Sequence, residues 1–136
     1  MPTNLKQLLI ARNDWLSAEI FKGAKAAGYD SLTQAEARLL AHMAGKPMSM
    51  SDLARRLSIS RQAVHKTVAE LERRGVLKVQ DDPARGNSKL VIYTTKGKEL
   101  NATGAHIIGQ IEQRIAQKIS AKDLDSLKRI LAMSWD

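Results

Sequence analysis

The chain contains no cysteine. That absence removes disulfides, thiolate metal sites, thiol nucleophiles and thiol redox sensing together, and it suits a reducing cytosol. Aromatic residues are scarce at 4%, with one Phe, two Trp and two Tyr, so no ligand pocket here can be a rich aromatic box. No apolar run approaches the ~20 residues that a membrane span needs. Met-Pro-Thr-Asn-Leu-Lys at the start lacks a basic stretch followed by an apolar run and a small-residue cleavage site. The expectation is a soluble, cytoplasmic protein with no membrane partner. Also missing are a phosphate-cradling glycine loop, H-E-x-x-H and G-x-S-x-G. The three histidines fall on three separate predicted helices without an obvious carboxylate partner, so no enzyme activity, cofactor or metal site is expected.

Acidic residues are outnumbered, 14 against 22 Lys and Arg, giving a net charge of +8 and a pI near 10.0. Such an excess favours a polyanionic partner, either nucleic acid or an anionic membrane surface. The length fits one domain, or one domain with added dimerisation helices. Repeats, low-complexity tracts and interdomain linkers are absent.

The residues around which the chain is organised run from Ser49 to Tyr93. Ser60 to Gly75 reads as a helix, with Val64, Val68 and Leu71 at i, i+4 and i+7 forming an apolar face. Ser60 suits the N-cap and Gly75 the left-handed position past the C-terminus. Arg61, Gln62, His65 and Lys66 cluster away from the apolar face, near the N-terminal end, where long donors and acceptors can reach a base edge or a phosphate. Ser49-Met-Ser-Asp52 reads as a capping-box variant opening a short helix with Leu53 and Leu57 on one face. Ser58-Ile59-Ser60 leaves room only for a tight connection. Two short amphipathic helices joined this way, the second basic and polar on its outer side, predict a helix-turn-helix.

A wing follows. Val76 to Gln80 and Lys89 to Tyr93 are β-prone runs. They flank Asp81 to Ser88, a stretch holding the Pro, Gly and Asn that turns require. A hairpin tipped by Arg85, with Lys89 at its base, can lay positive charge along a groove beside the inserted helix.

In this order the residues resemble the MarR family of winged helix-turn-helix transcriptional regulators. The resemblance rests on Leu32-Thr-Gln-Ala-Glu36, Ser51-Asp-Leu-Ala-Arg-Arg-Leu57, Ser60 to Val68, Leu71-Glu-Arg-Arg-Gly-Val-Leu77, Asp82-Pro-Ala-Arg85 and Thr94-Thr-Lys-Gly97. It implies dimerisation through the N- and C-terminal helices. The family pattern also suggests that Asp82 orients Arg85 through a carboxylate–guanidinium pair. Some family members sense zinc with histidines near the second and fifth helices. Here His42 and His106 stand in that neighbourhood, but Gln110 occupies the one-turn position after His106, and the ligand set is incomplete.

In chain order, Asn4 to Ala27 reads as a long helix with Leu5, Leu8, Leu9, Leu16 and Ile20 at helical spacing. Thr33-Gln-Ala-Glu36 is a capping box opening a second helix through Leu39, Leu40 and Met43. After the wing, Thr94 caps a helix from Thr95 to Ile119 with an aliphatic seam of Leu100, Ile107, Ile108, Ile111, Ile115 and Ile119. Gly97, Gly104 and Gly109 weaken that helix intrinsically. Ser120 caps a last helix with Leu124, Leu127, Ile130 and Leu131 on one face. The fold expected is mainly α with a small β-hairpin, a single domain over 1–136. Residues 32–94 form the winged helix-turn-helix, and 4–31 with 95–136 the dimerisation helices. The compact central module cannot cover so long a seam together with the first helix. A second copy of the chain related by a two-fold axis can.

The expected partners are double-stranded DNA, a second copy of the chain and a small-molecule effector. The expected function is a sequence-specific DNA-binding regulator, a repressor acting as a homodimer on a pseudo-palindrome. Ser60, Arg61, Gln62, His65 and Lys66 are assigned to the recognition helix. Arg85, Lys89, Ser49, Arg55 and Arg56 are assigned to the wing and backbone contacts. Arg73, Arg74 and Lys78 read as further backbone contacts or plain surface. Trp15, Tyr29 and His42 are candidates for an effector pocket. The alternative is a winged-helix protein–protein adaptor, which an apolar or acidic outer face on the recognition helix would favour.

Overall fold

The computed structural model describes residues 3–29 and 32–136, and the elements run α1 (Leu5–Ala26), α2 (Gln34–Met43), β1 (Met48–Ser49), α3 (Met50–Leu57), α4 (Arg61–Arg73), β2 (Leu77–Asp82), β3 (Arg85–Tyr93), α5 (Thr95–Ile119) and α6 (Ala121–Ala132). The helix boundaries follow the caps that the sequence offers. Asn4, Ser49, Ser60 and Ser120 each accept a backbone N–H of the first turn through the side chain. Thr33 and Glu36 complete a reciprocal capping box. At Ser49 only half of the box forms, because the Asp52 carboxylate turns to Arg55.

The chain divides into two compact units, residues 31–103 and residues 1–30 with 104–136, and it passes from one to the other within α5. In the first unit, Leu39, Met43, Met50, Leu53, Leu57, Val64, Val68, Leu71, Val76, Leu77, Val91 and Tyr93 form a single buried core. The heptad-like spacing within α3 and α4 delivers their apolar residues to it. Leu100 packs against the same core, which is why the first turns of α5 belong to this unit.

The sheet has three strands in the order β1-β3-β2, all antiparallel. The sequence signalled two strands. The third, Met48–Ser49, is only two residues long and carries no alternation to read. The hairpin also differs from the expected long loop. Its tip is the dipeptide Pro83-Ala84, and Asp81 pairs with Lys89 while Asp82 pairs with Arg85. Gly86, Asn87 and Ser88 are therefore extra residues on β3, a bulge rather than a turn.

Gly75 has φ +77, the left-handed value that ends α4 at no steric cost for glycine. Gly97 is needed for a different reason: a Cβ there would run into the Val76 carbonyl oxygen. Its low helix propensity is the cost of a close approach between α5 and the chain leaving α4. Thr94 seals that junction, its hydroxyl donating to the Gly75 and Val76 carbonyls and accepting the Gly97 N–H.

In the second unit α1 is a full 22-residue helix in which no residue is buried. From the C-terminal half, Ile107, Ile111 and Leu124 are buried, whereas Leu127, Ile130 and Leu131 remain exposed. Glu19 accepts ion pairs from Lys22 (3.1 Å) and Arg114 (2.8 Å). The Arg114 and Lys22 hydrogen bonds hold its carboxyl below the ordinary value.

Candidate nucleic-acid interface

The helix-turn-helix is built by a short, constrained connection. α3 ends at Ser58, a non-glycine residue at φ +54, and Ser60 already caps α4 by accepting the Ala63 N–H at 3.1 Å. Ile59 is the only residue between those two capping positions, so the angle between the helices is set locally. Val64, Val68 and Leu71 bury one side of α4. Arg61, Gln62, His65 and Lys66 are all exposed on another. The apolar face is consumed by the core, the exposed side of the first two turns is polar and cationic, and the exposed acidic residues Glu70 and Glu72 lie at the C-terminal end.

The β2–β3 hairpin places Arg85, exposed, directly after the two-residue tip. The Asp82 carboxylate accepts the Ala84 backbone N–H at 2.9 Å. This departs from the expected Asp82–Arg85 pair: with so short a tip the nearest donor is the turn's own backbone, and Asp82 shapes the turn rather than the guanidinium. Lys89 meets Asp81 across the strands at 2.5 Å, which holds the Asp81 carboxyl below its ordinary value. That pair is exposed on both sides, so its ammonium is available for exchange onto a phosphate at small cost.

Of the residues assigned to backbone contacts, Arg55 and Arg56 are exposed at the end of α3. Arg55 is paired with Asp52 on the same helix. Ser49 differs. It is 7% exposed and its hydroxyl oxygen accepts the Asp52 N–H, so it serves the fold as a nearly buried cap.

Arg74 is the larger surprise. Instead of lying on the surface it reaches Glu36, its Nη1 lying 3.0 and 2.9 Å from the two carboxylate oxygens. Burial alone would raise the Glu36 pKa, but the hydrogen bonds from Thr33 and Arg74 outweigh it, and the carboxyl is held below its ordinary value. Sequence reading found Glu36 through the capping box and missed its partner 38 positions away, because a pair at that separation leaves no periodic signal.

The effector candidates are not gathered within either unit. Trp15 and Tyr29 belong to the terminal-helix unit and His42 to the other. Trp15 has the Arg114 guanidinium 6.0 Å from its ring centroid. A shallow groove of about 250 Å³ lies between α5 and α6, lined by Gly109, Glu112, Gln113, Ala116, Ala121, Leu124 and Asp125. Among the described residues no three His, Asp or Glu side chains converge where a metal ion could sit. None of the described helices is long and apolar enough to cross a membrane.

Residues 30–86 match the sequence model described as the MarR family. A comparison with curated proteins finds no match. Among solved structures the chain is similar to a mutant of MepR from a multidrug-resistant S. aureus clinical isolate, at 17% identity and a TM-score of 0.77, covering 96% of this chain and 94% of that one. It is similar to wild-type MarR from E. coli in the apo form, at 18% identity and a TM-score of 0.73, covering 96% of both chains. A mutant of E. coli MarR complexed with operator DNA matches at 19% identity and a TM-score of 0.70, covering 93% of this chain and 90% of that one. The winged-helix architecture is thus that of these regulators along nearly the whole chain.

Proposed function

We propose that this chain, which carries the MarR-family pattern over residues 30–86 within the winged-helix fold of MarR regulators, is a DNA-binding transcriptional regulator. The observation that carries the reading is the division of α4: Val64, Val68 and Leu71 are consumed by the core, while Arg61, Gln62, His65 and Lys66 stand exposed, and the hairpin that follows carries Arg85 directly after its tip. α4 enters the major groove, with Gln62 and His65 reading base edges and Arg61 and Lys66 reading bases or phosphates. Arg85 enters the adjacent minor groove, and Arg55, Arg56 and Lys89 neutralise backbone phosphates. That a MarR relative was solved with operator DNA supports the same use of this surface.

The exposed apolar residues of α1 and α6 support a homodimer. A dyad then presents two recognition helices to a pseudo-palindrome with half-sites ~34–36 Å apart. The regulator works in the cytoplasm as a repressor, released when a small molecule binds the dimer. The adaptor reading loses ground because the exposed side of the first two turns of α4 is neither apolar nor acidic. Selection of bound sequences from a random duplex pool, followed by competition with candidate ligands, tests the proposal. An enriched inverted repeat supports it. Recovery of no preferred sequence, together with weak, salt-insensitive retention on heparin, overturns it in favour of the adaptor.

A further inference from the structure

The buried face of α4 fixes which side of the helix points inward, but the hydrophobic effect behind that burial is non-directional and does not by itself specify the pitch of the helix. α4 spans 13 residues, or about 20 Å. Pivoting such a helix about its C-terminal end by about 10° moves its first turn by about 3 Å. That displacement exceeds the whole useful range of hydrogen-bond distances. A helix that reads bases with its first turn therefore needs its far end held by directional bonds.

α2 supplies them. Glu36, 4% exposed, is fixed in its own capping box by the Thr33 N–H at 2.9 Å and grips Arg74, the C-cap residue of α4. Two residues along, Arg38 donates to the Leu57 carbonyl at the end of α3, at 3.2 Å. From the other side, the Lys96 ammonium of α5 donates to the Arg74 carbonyl at 3.0 Å. The C-terminal ends of both helices of the helix-turn-helix are thus tied by charged groups, and Arg74 is held by side chain and by backbone.

We infer that the partly buried Glu36–Arg74 pair is a positioning device for sequence reading: it sets the pitch at which α4 presents Gln62 and His65, although neither partner is assigned a DNA contact. The inference rests on the DNA-binding reading above. Glu36 is ionised at neutral pH, as its lowered pKa requires, so the grip is present under ordinary conditions.

Glu36→Gln isolates the effect, because glutamine keeps the capping box and removes only the charge. The unaltered protein first selects its preferred duplex from a random pool. Affinities of both proteins are then measured for that duplex and for a scrambled one, across a salt series, at a temperature where circular dichroism shows both folded. The ratio of selected to scrambled affinity is expected to fall roughly tenfold, equivalent to one good base contact. Affinity for scrambled DNA and the salt slope should not change, since no phosphate ligand is lost. Arg74→Lys, which keeps the charge but lacks the planar fork, should show a smaller fall in the same ratio. It also serves as the second variant if Glu36→Gln unfolds. A purely structural role would scale both affinities together and leave the ratio unchanged, and that result overturns the inference. An unaltered protein that selects no sequence would instead overturn the DNA-binding reading on which it rests.

Discussion

Two regions of this chain use the same amphipathic pattern and end differently. In residues 31–103 every major apolar stripe, from Leu39 and Met43 through Leu53, Leu57, Val64, Val68 and Leu71, closes into one core. In the terminal helices apolar residues also recur at helical spacing, yet no residue of α1 is fully buried, Leu16 and Ile20 are only partly covered, and Leu8, Phe21, Leu127, Ile130 and Leu131 stay exposed. Periodicity reports that a face must be covered; it carries no information on whether the cover comes from the same molecule. The contrast divides labour as well. On the proposed reading the closed core carries α4 and its charged ties, and the open stripe is the surface that would receive a second chain.

The largest expected effect tests that contrast directly. Leu53→Ala, at 0% exposure, should cost ~2–5 kcal/mol and lower the melting temperature at every protein concentration. Ile130→Ala should barely change the stability of dilute protein and should instead weaken self-association, read by sedimentation across a concentration series. Equal, concentration-independent losses would show that both faces are closed within one chain.

Base reading comes next. Gln62→Ala or His65→Ala should cost ~1–3 kcal/mol on the selected duplex and relax preference at particular positions, with little change on random DNA. The wing should matter less and differently. Arg85→Ala should reduce the preference for A·T-rich flanks and lower the salt slope by about two units in a dimer, one phosphate per wing. Arg85→Lys should recover more of the slope than of the flank preference.

Acid should produce a smaller effect at the Glu36–Arg74 pair. The Glu36 pKa is lowered in the folded chain, so its stabilisation is complete above the unfolded value, about 4.3, and is lost as pH falls through the folded value. The difference in melting temperature between the unaltered protein and Glu36→Gln should therefore shrink below about pH 4. A gap that persists unchanged to low pH would show that the charge on Glu36 contributes nothing.

Much of this architecture was legible because local chemistry decides it. The caps at Ser49, Ser60, Thr33 and Ser120, the glycine after α4 and the apolar spacing of α3 and α4 are each written within a few residues. What could not be read depends on distant partners. The two-residue strand β1 exists only because β3 accepts it. The Arg74 side chain was indistinguishable from its neighbour Arg73 until the fold brought Glu36 to it. Gly97 looked like a weakness in α5 and is instead the place where the helix passes the Val76 carbonyl. Ser49 looked available because nothing in the sequence shows a serine's depth.

The proposed function requires a closed reading unit paired through open terminal helices. The most direct test measures the mass of the complex and its affinity on two duplexes, one with both selected half-sites ~34–36 Å apart and one with a single half-site scrambled. Two chains on the intact duplex and a steep loss of affinity on the scrambled one are expected. A single chain bound to both duplexes with equal affinity would contradict the proposed function.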